Sequence, residues 1–139
     1  SRTGVPMTEL PDPVRVVIAD DDADMRMLVE IAVRKAGLVV AAVAADGSEA
    51  WQSVQDHAPG LVVLDVAMPG MSGLDVCRLI RSDPALAETP VLLLSAGVSG
   101  TSREAGLEAG ADAFMPKPFS PRRLAEKLVA LSHGRGSAE

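Results

Sequence analysis

Five short runs of the chain are almost wholly apolar, and between them apolar residues recur every three or four positions. The runs are 14–19, 39–44, 61–64, 91–94 and 113–115. Each is bounded by polar or turn-forming residues, the mark of a buried strand. Their lack of polar alternation fits a sheet covered on both faces. The intervening stretches predict helices. After Asp22, suited to cap a helix, Met25, Leu28, Val29, Ala32 and Ala36 keep helical spacing until Gly37 stops it. Glu30 and Arg34 stand one turn apart on its exposed side. An Asp46-Gly47 turn precedes a helix over about 48–57 with Ala50, Trp51 and Val54 inward, ended by Pro59-Gly60. Residues 74–81 form a third, with Val76, Leu79 and Ile80 at core spacing. Thr101 and Glu104 have the form of a capping box for a fourth, intrinsically weak, Ala- and Gly-rich helix. Ser120-Pro121 signals a last helix burying Leu124, Leu128 and Leu131.

Strands alternating with helices predict an α/β fold, a doubly wound five-stranded parallel sheet with helices on both faces. Right-handed crossovers favour the flavodoxin-like order 2-1-3-4-5. The domain spans 14–132. Residues 1–13, with three prolines and no periodicity, read as a flexible leader in which Met7 is a candidate natural start, and 133–139 as a polar tail.

Composition narrows the picture. With 139 residues the chain makes one domain, and with two Phe, one Trp and no Tyr its core must be aliphatic. A net charge of −6 argues against direct nucleic-acid contact, which needs clustered Lys and Arg. No apolar run approaches the roughly 20 residues that span a bilayer, and no signal peptide is evident. The one cysteine, Cys77, cannot form an internal disulfide and reads as a small core residue; a reducing, cytoplasmic setting fits. His57, His133 and the Arg122-Arg123 pair read as solvated surface, and Trp51 as partly buried packing.

The chemistry gathers at strand ends. The third strand stops at Asp65 and breaks into a turn containing Pro69, Gly70 and Gly73. The first ends in Asp20-Asp21-Asp22, the fourth in Ser95, and the fifth is followed by Lys117. Carboxyl ends of parallel strands are where open α/β sheets bind ligands, and the predicted order puts Asp20 and Asp21 beside Asp65. An all-oxygen donor set of this size suits Mg²⁺, with Mn²⁺ as a substitute. One carboxylate can attack phosphorus to give an aspartyl phosphate, while an ammonium and a hydroxyl hold the phosphoryl oxygens. Lys117 and Ser95 suit those roles, and Ala96 and Gly97 leave room.

Four segments, ADDDADMR from Ala19, LDVAMPGMSG from Leu64, LLLSA from Leu92 and GADAFMPKPF from Gly110, together resemble the receiver domains of two-component response regulators, chemotaxis regulators among them. The resemblance covers roughly 14–131. It implies Asp65 as phosphoacceptor, Asp20 and Asp21 as Mg²⁺ ligands with the Ala67 carbonyl, Lys117 and Ala96 in the phosphate pocket, and Ser95 and Phe114 as the switch pair. It also implies a cis Lys117–Pro118 bond, and catalysis limited to the domain's own phosphorylation and dephosphorylation. A histidine kinase or phosphotransfer domain is then the donor, and output passes to a partner or to an effector domain this chain does not contain. Two departures stand out: Ser95 replaces the commoner Thr, and Phe114 replaces Tyr, so no phenol is available to hydrogen-bond.

Two rivals use similar residues. A haloacid-dehalogenase-type phosphatase carries its nucleophile after the first strand, whereas the best-matched aspartate here follows the third. A receiver-like interaction module without phosphorylation would not need every chemical position filled. A flavin binder is weaker still, since acidic residues after the first strand would repel a cofactor phosphate.

Overall fold

The computed structural model describes residues 12–97 and 100–133. Its strands are β1 (Arg15–Ala19), β2 (Val39–Ala44), β3 (Leu61–Asp65), β4 (Val91–Ser95) and β5 (Ala113–Pro116). The helices are α1 (Ala23–Lys35), α2 (Gly47–His57), α3 (Gly73–Ser82), α4 (Gly100–Glu108) and α5 (Pro121–Leu131). All four strand pairings are parallel and give the order β2-β1-β3-β4-β5. The expected fold is therefore the observed one.

Its layers follow from alternation along each strand. Val17, Ala19, Val62, Leu64, Val91 and Leu93 face one side with Ala50 and Val54 of α2 and Val76, Cys77 and Ile80 of α3. Val16, Ile18, Leu61, Val63, Leu92 and Leu94 face the other with Val29, Ala32 and Val33 of α1 and Leu124, Leu128 and Leu131 of α5. Those three α5 leucines are buried, each contributing about 1.5–3 kcal/mol over an exposed position.

The caps explain where helices start. Asp22 Oδ1 accepts from the amides of Asp24 and Met25 at 2.8 and 3.1 Å, as the sequence suggested. Asp46 does the same for α2, accepting from Glu49 N at 2.8 Å, so Gly47 is its first helical residue rather than part of a separate turn. Ser72 and Asp75 form a reciprocal capping box on α3, which starts one residue before the predicted Leu74 and ends at Ser82. On that helix Cys77 is fully buried while Leu79 is only half-buried, because the sheet meets the helix face one position away from the one the spacing suggested. Helix α4 begins at Gly100, which places Thr101 inside its first turn instead of at the cap; the Thr101 side chain lies outside the described residues. The first strand starts at Arg15; Val14, half-buried against the core, supplies a carbonyl to Val39 N at 2.9 Å. The leader through residue 11 and the tail from 134 also lie outside the described residues.

One half-buried cluster ties the far side of the sheet. Arg81 donates from Nε to the Gly110 carbonyl at 2.8 Å and from Nη1 to the carbonyls of Ala87 and Thr89 at 3.2 and 2.7 Å. Its Nη2 pairs with Asp112 Oδ2 at 2.7 Å, and the same oxygen accepts from Val91 N at 2.9 Å. The C-terminal end of α4 is thereby joined to α3 and to the start of β4.

Candidate phosphoryl-acceptor and metal site

The ends of β1 and β3, neighbours in the sheet, deliver the acidic residues, and the end of β5, beyond β4, delivers one lysine to the same point. The register pairs Ala19 with Leu64, so the carboxylates following β1 and ending β3 are neighbours. Asp20 is fully buried, Asp65 is 3% exposed and Ser95 6%, whereas Asp21 is exposed. One oxygen from each of Asp20, Asp21 and Asp65 lies within 4.8 Å of the others.

Asp20 is held from several directions. Its amide donates to Ala44 O at 3.1 Å, its Oδ1 accepts from Asp22 N at 2.9 Å, and its main-chain carbonyl accepts from Arg26 Nη1 at 2.8 Å. Lys117 reaches in from the end of β5, its own amide tied to the Ser95 carbonyl at 2.8 Å. Its Nζ lies 2.8 Å from Asp20 Oδ2 and 3.2 Å from Asp65 Oδ1. The bond from Lys117 to Pro118 is cis, as the resemblance implied. Ser95 Oγ accepts from Gly97 N at 3.0 Å. Ala67 and Ala96 are exposed at the rim.

Behind Asp65 the chain is tightly backed. Gly73 N donates to Val66 O at 2.9 Å, and a methyl group built on Gly73 would collide with the carbonyl oxygen of Asp65. The end of β3 and the start of α3 can approach this closely only because the first residue of the helix is glycine.

Electrostatics follow from burial and crowding. Asp65 is raised from 3.8 to about 6, first by desolvation and next by the Asp20 charge, with Lys117 opposing. Burial disfavours the Lys117 ammonium, but its bonds and proximity to Asp20 and Asp65 outweigh that and raise it above the ordinary lysine value. Lys117 is thus a counter-ion of the carboxylates as well as a candidate phosphate ligand, a role that sequence alone did not disclose.

The arrangement fits a hard divalent cation. The donors are all oxygen, and Asp20 Oδ2, fully buried, has the Lys117 ammonium nearby but no aligned hydrogen bond. Phe114 is half-buried against the core, beside Gly106 of α4. It also lines a groove of about 370 Å³ with Arg103, Phe119 and Lys127. Of the other residues considered, Cys77 lies in the core, Trp51 is half-buried, and His133 and the arginine pair 122–123 are exposed, as read from the sequence. His57, at the end of α2, is held by Arg15, whose Nη1 donates to the His57 carbonyl at 2.9 Å. Arg26, bonded to the Asp20 carbonyl, had no signal in the sequence beyond its place inside the acidic segment.

The chain is similar to known proteins. The family model described as the response regulator receiver domain matches residues 16–129. The DNA-binding response regulator MtrA of Mycobacterium leprae is 37% identical over 116 residues, covering 84% of this chain and 50% of that protein. Response regulator MprA of Mycobacterium sp. (strain KMS) is 41% identical over 119 residues, covering 86% and 50%. The chain spans about half the length of these curated relatives. Among solved structures, the signal receiver domain of NarL from Mycobacterium tuberculosis superposes with a TM-score of 0.82 at 34% identity, covering 90% of this chain and all of that one. Chemotaxis response regulator CheY4 of Vibrio cholerae gives 0.78 at 31% identity, covering 84% and 97%.

Proposed function

Since the chain belongs to the response regulator receiver domain family, we propose that Asp65 is its phosphoacceptor and that residues 14–132 form the unit that carries the reaction. It is a receiver domain of a two-component response regulator. A carboxylate oxygen of Asp65 attacks the phosphorus of a phosphohistidine on a histidine kinase or phosphotransfer domain. The new P–O bond forms as the P–N bond breaks, and the imidazole leaves. Asp20, Asp21, Asp65 and the main-chain carbonyl of Ala67 would hold Mg²⁺, or Mn²⁺ in its place, which when bound supplies positive charge against the phosphoryl oxygens. Lys117, already beside Asp65, moves its ammonium from carboxylate to phosphoryl oxygen. Ala96 leaves the rim open, and Ser95 turns its hydroxyl from Gly97 N toward the phosphoryl group. Phe114 takes up the space that Ser95 vacates, and this shift of populations carries the signal. Water attack on the phosphorus later resets Asp65.

The observation that carries this reading is the buried Asp65 carboxylate set between the Asp20–Asp21 pair and Lys117. Among the described residues no helix is long and apolar enough to cross a membrane; the setting proposed is cytoplasmic. MtrA is described as DNA-binding; given the net charge of −6, we assign no direct nucleic-acid contact to this chain, its output passing to a partner or effector domain.

With Mg²⁺ and acetyl phosphate, intact mass should show one added phosphoryl group, labile to hydroxylamine, and none in Asp65→Asn. Labelling unchanged in the Asn variant would remove Asp65 from the mechanism.

A further inference from the structure

The acidic segment contains a cation to which the mechanism above assigns no role. Arg26 sits in the second turn of α1, half-buried, and makes two bonds back to the loop that precedes the helix. Its amide donates to Asp22 O at 3.0 Å, an ordinary helical bond. Its guanidinium donates to Asp20 O at 2.8 Å, which is not.

That second bond falls on a particular peptide group. The Asp20 carbonyl belongs to the plane joining Asp20 to Asp21, the two residues that would supply carboxylates after β1. Rotation of this plane swings both side chains at once. The Asp20 amide donates to Ala44 O and the Asp22 amide to Asp20 Oδ1, so the peptide planes on either side are held. Arg26 is the side chain that grips the plane itself.

We propose that Arg26 is a positioning residue for the cation site, locking the Asp20–Asp21 peptide so that both carboxylates face Asp65. This rests on the metal reading above. Two physical effects of Arg26 have opposite signs, which makes the inference testable. As a nearby positive charge it would repel a divalent cation, and its removal would tighten binding. As an orienting hydrogen-bond donor it would preserve the site, and its removal would weaken binding, as loss of a partner that orients a ligand commonly does, by about 10–100-fold. Orientation governs here, because the guanidinium is directed at the carbonyl joining the ligands.

The test is calorimetric titration of the unphosphorylated protein with Mg²⁺ alone, for the parent, Arg26→Met and Arg26→Lys. Methionine keeps an unbranched stem in the helix and removes the donor. Its dissociation constant should rise about 10-fold or more, with lysine, which keeps one donor, between it and the parent. A Met variant within twofold of the parent, or tighter, would overturn the assignment. Unfolding midpoints in EDTA provide the control: a merely structural role would lower them and leave the Mg²⁺ constant unmoved, which also overturns it. If the Met variant fails to fold, the lysine variant decides on the same criterion. A parent that takes up no Mg²⁺ would instead refute the metal reading, a result distinct from an unmoved constant in the variants.

Discussion

The carboxylate pocket has two unlike walls. On one side, α1 and α5 lie over the sheet with Val29, Ala32, Val33, Leu124, Leu128 and Leu131 driven into it, and Ser120 and Asp22 cap their first turns. On the other, the described part of α4 buries only Gly106, with Ala109 and Ala111 following it, and exposes Leu107. Its firm attachment is at the far end, where Arg81 holds Gly110 and Asp112. The switch proposed above, a change of shape on gaining one phosphoryl group, would draw on such asymmetry. Repacking three leucines would require more free energy than a phosphoryl group provides, whereas a helix resting on Gly and Ala can be moved within a few kcal/mol.

Helix α5 offers the harshest test of this contrast. Leu128→Ala should cost about 2–5 kcal/mol, read as a lowered urea midpoint at unchanged slope. A loss below about 1 kcal/mol would mean that the braced wall is not braced by α5.

Between the walls sits a carboxylate both buried and crowded, and pH exposes the cost, first of its burial and next of the Asp20 charge. Asp65 is raised from 3.8 to about 6, so the folded state binds this proton more tightly than the unfolded chain does. The stability it contributes is fully present below pH 3.8 and is lost as pH rises through about 6. Metal-free Asp65→Asn lacks that loss. Its advantage over the parent should therefore grow by on the order of 2–3 kcal/mol between about pH 4 and 7 and then level off. Unfolding of both proteins in EDTA across that range measures it; parallel curves would show that burial and the neighbouring charge do not raise Asp65. Lys117 moderates the effect by pairing with both Asp20 and Asp65.

The smallest effect belongs to the loose wall. Leu107, 52% exposed, should tolerate alanine within about 0.5 kcal/mol. A cost approaching that of Leu128→Ala would give α4 an anchorage that its described side chains do not.

How far the chain could be read in advance depended on whether the signal was local. Strands, sheet order and the residues at strand ends followed from apolar runs and turn chemistry, each visible within a few positions. Caps were legible at Asp22 and Ser120, where a short side chain precedes clear periodicity, but passed unnoticed at Ser72–Asp75, where the pair is hidden in a loop already full of turn residues. Leu79 misled because helical spacing fixes a face only to within a residue, and the sheet chose Cys77. Arg81 with Asp112 and Lys117 between two carboxylates link positions whose meeting depends on the whole fold. No window of sequence contains them.

The close contact of Gly73 with the Asp65 carbonyl has a consequence for any search through variants of this chain. Around most of the rim, at Ala67 and Ala96 for example, a randomised library has many side chains to sample, because those positions open to solvent. At position 73 the library collapses to a single letter. Any other residue must displace the main chain at Asp65, so functional survivors would carry glycine there whatever else had drifted.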